Sequence, residues 1–209
     1  MPTVGVSRKR PDPAIKRSRK APEQRRSELI EAAACVFMEK GYAAATVADI
    51  TSRAGSSHGT FYVYFDSKDE IFDAVAEDRV MMAFDSVKEC ADQVGRPAVE
   101  RIIEILKMNS EPEVSGWWVE EFNLSHLNHL RARLIQKASE MFLPVLADLL
   151  KEAVKEGSID VPVPEATAAY LIAAGLIQRL GLDATSSVTD QEWELAYDDL
   201  ALRALGLKD

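Results

Sequence analysis

Residues 46–65 read TVADITSRAGSSHGTFYVYF, and no other stretch restricts the fold as tightly. Thr46 followed by Asp49 is an acidic variant of the capping box, in which each side chain satisfies the other's backbone N–H and a helix begins. Val47 and Ile50 give that helix an apolar face. It should end near Ala54, because Gly55 can take the left-handed turn that stops a helix. A short helix then restarts at Ser56 or Ser57 and reaches about Tyr62. Two short helices joined by a tight glycine turn cross steeply, and the second faces outward. This is the helix-turn-helix arrangement, whose second helix enters the DNA major groove. Ser57, His58, Gly59 and Thr60 suit a groove-entering helix, with short polar groups and a glycine that permits close approach. Tyr62 and Tyr64 carry hydroxyls that can reach phosphate oxygens. Lys68 falls in the first turn of the next helix, where backbone N–H groups also favour an anion.

Period and punctuation make the rest helical too. Ile30, Ala33, Ala34 and Phe37 predict a helix over about 22–40, stopped by Gly41. Ser67 with Glu70 forms a second S-x-x-E box, which opens a longer helix carrying Ile71, Phe72, Val75, Val80 and Phe84. Val99, Ile102, Ile103, Ile105 and Leu106 predict a helix at about 97–109. Helical pattern resumes at Trp117 and runs to Glu156, with a break expected near 125–130 and a kink at Pro144. Gly157 should end it, and Asp160–Pro164 should be extended. Helices at about 164–182 and 190–206 close the chain. The first of these is apolar nearly all round and must be buried on more than one side. There is no strand alternation and no internal repeat, so the fold class is all-α.

Charge is distributed unevenly. Residues 1–26 hold nine basic and two acidic residues, a net of +7 in a chain whose total is −9, so the remainder carries −16. A basic arm on an acidic body suits nucleic-acid phosphate, although a solubilising tail has the same composition. With Pro2, Pro11, Pro13 and Pro22, this arm (residues 1–22) is expected to be disordered in isolation. By contrast, residues 27–65 contain only Lys40 and Arg53 against Glu28, Glu31, Glu39 and Asp49, a net of −2. Cys35 and Cys90 lie far apart and fit neither a disulfide framework nor a metal-binding CxxC pair. No apolar run reaches the roughly 18 residues of a membrane span, and no secretory signal precedes the arm, so a cytoplasmic setting without membrane attachment is expected. Nucleophile elbow, phosphate loop and HExxH are absent from the sequence, which argues against an enzyme. No cofactor is expected.

Two further groups invite a sharper reading. His126 and His129 are spaced i, i+3, but no third His or Cys lies nearby, so polarity within a pocket, or ordinary surface or core use, is favoured over metal. Met108, Trp117, Trp118, Phe122, Met141 and Phe142 concentrate large soft side chains in the C-terminal half. Such groups fill cores, and they also line apolar ligand pockets.

The segment RRSELIEAAACVFMEKGYAAATVADITSRAGSSHGTFYVYFDSKDEIFDAV resembles the N-terminal domain of the TetR (tetracycline-repressor-like) transcriptional regulators. The similarity rests on Ile30, Ala33, Phe37, Gly41, Thr46, Ile50, Ala54, Gly55, Gly59, Tyr62, Phe65, Lys68 and Ile71, over about residues 23–84. It implies an all-helical chain of about nine helices, with a three-helix DNA-binding domain at 23–84 and a helical effector-binding and dimerisation domain at 85–209. The resemblance further implies a homodimeric repressor that a small molecule releases from a double-stranded DNA operator. Thr46, Ser57, His58, Thr60, Tyr62, Tyr64 and Lys68 would contact DNA, and Gly59 would permit backbone approach. Ser56 stands where the family commonly has an apolar turn anchor, and would cap the helix or meet phosphate instead. His126 and Tyr170 join the effector-pocket candidates. The Ala-rich helix at 164–182 resembles the family's dimerisation element. With the last helix it would place Tyr170, Ala173, Ala174, Ile177, Trp193, Tyr197 and Leu200 at the dimer interface, a four-helix contact. A helical protein–protein adaptor is the competing class. The short polar residues at 57–60 oppose it, since a protein interface favours aromatic and apolar anchors.

Overall fold

A computed structural model describes residues 21–110, 128–179 and 189–207. Among them are eight helices: α1 (Pro22–Ala44), α2 (Val47–Arg53), α3 (His58–Tyr64), α4 (Lys68–Ala91), α5 (Ala98–Ser110), α6 (Asn128–Glu156), α7 (Pro164–Arg179) and α8 (Asp190–Ala204). The described residues contain no strand. None of the described helices is long and apolar enough to cross a membrane.

Local chemistry explains most boundaries. Gly41 interrupts α1 at φ 73°, where a side chain would be strained, and one last turn follows it. Thr46 and Asp49 form the reciprocal capping box of α2. Gly55, at φ 58°, makes the turn into α3. The cap of α3 is Ser57, whose Oγ accepts the Thr60 N–H at 3.1 Å, and α3 continues to Tyr64 rather than stopping at Tyr62. At α4 the expected box is only half formed. Ser67 Oγ accepts the Glu70 N–H, but the Glu70 carboxylate takes the N–H of Asp66, one residue before the cap. α6 runs as one helix through Pro144 and ends at Gly157, φ 72°.

Two apolar cores hold these helices. The first joins Leu29, Ala33 and Phe37 of α1, Ile50 of α2, Phe61 and Phe65 around α3, and Ile71, Phe72 and Val75 of α4. Residues 23–84 do not close it alone, because Leu130, Leu134 and Ala138 of α6 are buried in the same cluster. The second core joins the far end of α4 to α5, the C-terminal half of α6, α7 and α8. α4 and α6 therefore run through both cores side by side. Arg133 bridges Asp73 (3.0 Å) and Glu77 (3.3 Å), and Lys137 pairs with Glu77 (3.3 Å). Phe84 meets Phe142 edge to face at 5.4 Å. The ion pairs are half exposed and contribute little, so the buried leucines and the aromatic contact carry the α4–α6 association. At the other end of α4, the buried Arg101 donates to the Ala91 carbonyl (2.6 Å) and pairs with Glu152 (2.5 Å).

Candidate nucleic-acid interface

α3 is held by its buried side. Phe61 and Phe65, four residues apart, are fully buried, and each contributes roughly 2–3 kcal/mol by leaving water. With that side fixed, His58, Gly59, Tyr62 and Val63 point outward together, at i, i+1, i+4 and i+5. Tyr62 is 55% exposed and Val63 76%. Val63 is absent from the sequence candidates. Its signal is an apolar residue on the solvent face of a helix, where its methyls suit the thymine methyl of the major groove.

The other candidates divide by what they already bind. The Thr46 hydroxyl donates to Asp49 Oδ2 at 2.7 Å, and its N–H is held by the same oxygen at 3.0 Å, so both its donors serve the α2 cap. Ser57 Oγ and Thr60 Oγ1 share a hydrogen bond of 3.0 Å, with Ser57 exposed. His58 Nδ1 lies 3.4 Å from Thr51 Oγ1. Thr51 itself donates to the Val47 carbonyl at 2.9 Å, so Nδ1–H is the donor to Thr51. Tyr64 is half-buried against the first core. The Lys68 ammonium donates to the carbonyls of Tyr42 (2.7 Å) and Ala45 (3.0 Å) and lies 4.3 Å from the centre of the Tyr42 ring. It ties α4 to the end of α1 and keeps one of its three N–H groups for any other partner.

Ser56 corrects its expected role. It neither caps α3 nor faces solvent: its Oγ is buried and has no hydrogen-bond partner among the described residues. The side chain occupies the inward position of the turn. Gly59 shows the opposite economy. A Cβ there would meet only Ser57 Oγ, at an ordinary 3.8 Å, so the fold has room for a side chain and no left-handed backbone to require glycine.

Electrostatics in the interface are locally neutralised. Lys40 and Thr46 both hydrogen-bond the Asp49 carboxylate, and they pull its pKa down to about 2. Arg53 pairs with Glu39 at 2.5 Å.

In the C-terminal half, Trp117, Trp118, Phe122 and His126 lie outside the described residues. Met108 is half-buried, as are Met141 and Phe142. Tyr170, expected in the effector pocket as well as at the dimer interface, is 78% exposed. It lines an apolar groove of about 420 Å³ between α7 and α8, with Ala173, Ala174 and Leu200. Leu200 is 56% exposed. Tyr197 lines the same groove from its floor: it is buried in the second core, and its hydroxyl donates to the Leu171 carbonyl at 3.4 Å. α7 is thus buried on one side only within the single chain, short of the burial expected from its apolar circumference. The side chains of Ile177 and Trp193 lie outside the described part. Among the described residues no three His, Cys, Asp or Glu side chains are grouped for a metal ion.

Residues 29–75 match the family model described as bacterial regulatory proteins, tetR family. The transcriptional repressor KstR2 of Mycobacterium tuberculosis is 37% identical over 78 residues, which are 37% of this chain and 38% of that protein. The chain thus aligns with well under half the length of this curated relative. A TetR/AcrR-family regulator from Thermobifida fusca superposes with a TM-score of 0.63 at 24% identity, covering 86% of this chain and 97% of that one. The RolR protein in complex with resorcinol superposes with a TM-score of 0.60 at 19% identity, covering 89% of each chain. These superpositions establish the fold.

Proposed function

This chain belongs, through its N-terminal helices, to the TetR family of bacterial regulatory proteins, and from that premise we propose that it is a homodimeric repressor released from its operator by a small molecule. The family is one of transcriptional regulators rather than enzymes. The observation that carries the reading is the outward face of α3. There, glycine at an exposed helical position gives the fold nothing and costs it up to about 1 kcal/mol relative to alanine. A missing Cβ is useful at Gly59 only to something that approaches from outside. His58, Tyr62 and Val63 surround it with a donor or acceptor, a hydroxyl and a methyl pair, the groups that read base edges and phosphates.

Two such helices must reach successive major grooves about 34 Å apart, which calls for a dimer. The apolar groove between α7 and α8, with Tyr170 and Leu200 exposed on it, supplies a face for a second copy. The domains divide by function at about residue 84, with α4 and α6 as the link. RolR binds resorcinol within the same fold, which supports a small-molecule effector for this chain, and we place it among the C-terminal helices. Its binding would move α4 and α6, and with them the spacing of the two α3 helices.

Capture of sheared genomic DNA by the purified protein, followed by sequencing of the bound fragments, tests the reading. An enriched palindromic site is expected. Sequence-blind binding alone would remove the operator and leave the adaptor reading in first place.

A further inference from the structure

A buried residue of α2 holds the His58 ring. Thr51 is 3% exposed, and its Oγ1 lies 2.9 Å from the Val47 carbonyl oxygen, 3.2 Å from that of Ala48 and 3.4 Å from His58 Nδ1. A hydroxyl has one hydrogen and two lone pairs. Both carbonyls are nearer than the ring, so the hydrogen goes to a carbonyl and Oγ1 turns a lone pair toward the ring. A ring with its own lone pair on Nδ1 would set two acceptors against each other. Nδ1 therefore carries the ring hydrogen, and in the neutral ring Nε2 carries the lone pair. His58 is exposed, and Nε2 has no hydrogen-bond partner among the described residues.

The rest of α3 has matching chemistry. The helix contains no lysine or arginine, the side chains that donate to guanine O6 and N7. An acceptor in the major groove meets two kinds of donor, the N6 amino group of adenine and the N4 amino group of cytosine. Val63, 76% exposed on the same helix, adds methyls that suit thymine. A neutral acceptor gains nothing from phosphate, so what it contributes is base choice.

We propose that His58 is a specificity-determining residue that accepts, through Nε2, a hydrogen bond from the exocyclic amino group of an adenine or a cytosine, and that Thr51 is the positioning residue that sets its tautomer. Resting on the reading of α3 as a DNA-binding helix, this gives a buried α2 side chain a share in base choice without contact to DNA.

The test uses the full-length chain and duplexes carrying the enriched genomic site. In one half-site each adenine is replaced in turn by purine, which lacks the N6 amino group, and each cytosine by 2-pyrimidinone, which lacks the N4 amino group. Affinities are measured by fluorescence anisotropy. At one position the parent protein should lose about three- to tenfold, the share of one hydrogen bond, and His58→Ala should lose nothing further there. Whether that position holds adenine or cytosine identifies the base that is read. Thr51→Val should blunt the loss at that position alone, and Thr51→Ser, which keeps the hydroxyl, should restore it. Long-range proton–nitrogen correlation spectra of the neutral ring, assigned by the signal missing from His58→Ala, should show Nδ1–H in the parent and a mixture of tautomers in Thr51→Val. An Nε2–H tautomer in the parent would overturn the assignment. So would a loss that depends on His58 with 7-deazaguanine and not with amino deletion. Equal losses in parent and His58→Ala at every position, with the enriched site still preferred, would overturn it while the function of α3 stands. If the parent prefers no site, the assignment falls with the reading beneath it.

Discussion

Ser56 offers a test in which loss of a polar group should strengthen the protein. Its Oγ is buried in the α2–α3 turn without a hydrogen-bond partner among the described residues. A buried hydroxyl in that state costs about 1–3 kcal/mol. Ser56→Ala removes the cost and loses only the packing of one oxygen, so a net gain of about 1 kcal/mol is expected. For a chain of this length that corresponds to roughly 2–4 °C in Tm. Urea and thermal unfolding should be measured at one fixed protein concentration, because dimerisation makes Tm concentration-dependent. The same variant should bind the enriched duplex with unchanged affinity, since the hydroxyl faces away from solvent. Ser56→Val should do at least as well, as an apolar anchor filling the turn. A destabilised Ser56→Ala would refute the buried, unpaired state. Unchanged stability with weakened DNA binding would return the hydroxyl to a phosphate.

Gly55→Ala should cost about 1–2 kcal/mol through the left-handed backbone alone, because nothing lies within 4 Å of the added Cβ; thermal unfolding measures it, and Gly55→Asn should cost less. Asp49→Asn should lower Tm near neutral pH by weakening the α2 cap and the Lys40 pair. The folded pKa of about 2 lies below the ordinary 3.8, so this stabilisation is present above about pH 4 and is lost as pH falls toward 2. The Tm gap between parent and variant should therefore close over that window. Tyr170→Asp with Leu200→Asp should shift the protein from dimer to monomer in sedimentation velocity, by placing charge on the exposed α7–α8 groove.

What could be read from the sequence was mostly local. The Thr46–Asp49 box and the Gly55 turn each involve partners within four residues, so spacing alone located them, while two adjacent serines left the start of α3 open between Ser56 and Ser57. The all-helical class followed from periodicity for the same reason. Lys68 escaped because its carbonyl partners, Tyr42 and Ala45, lie 26 and 23 residues away. Glu70 escaped by one residue: its carboxylate could reach either of two neighbouring N–H groups, and it takes that of Asp66. The contribution of Leu130, Leu134 and Ala138 to the first core depends on α6 passing back along α4, which no local pattern encodes. Tyr197 fell on an apolar stripe, and a stripe alone does not show that the ring is packed within the chain as well as lining the α7–α8 groove.

The central claim is that the outward face of α3 reads DNA, and Gly59→Ala tests it most directly. Within the fold this change is harmless, since the added Cβ meets one atom at 3.8 Å, and helix propensity should raise stability by up to about 1 kcal/mol. On the enriched duplex the account predicts at least a tenfold loss of affinity, about 1.4 kcal/mol, because the methyl stands between α3 and the DNA. A more stable protein that binds its site as tightly as before would contradict the claim.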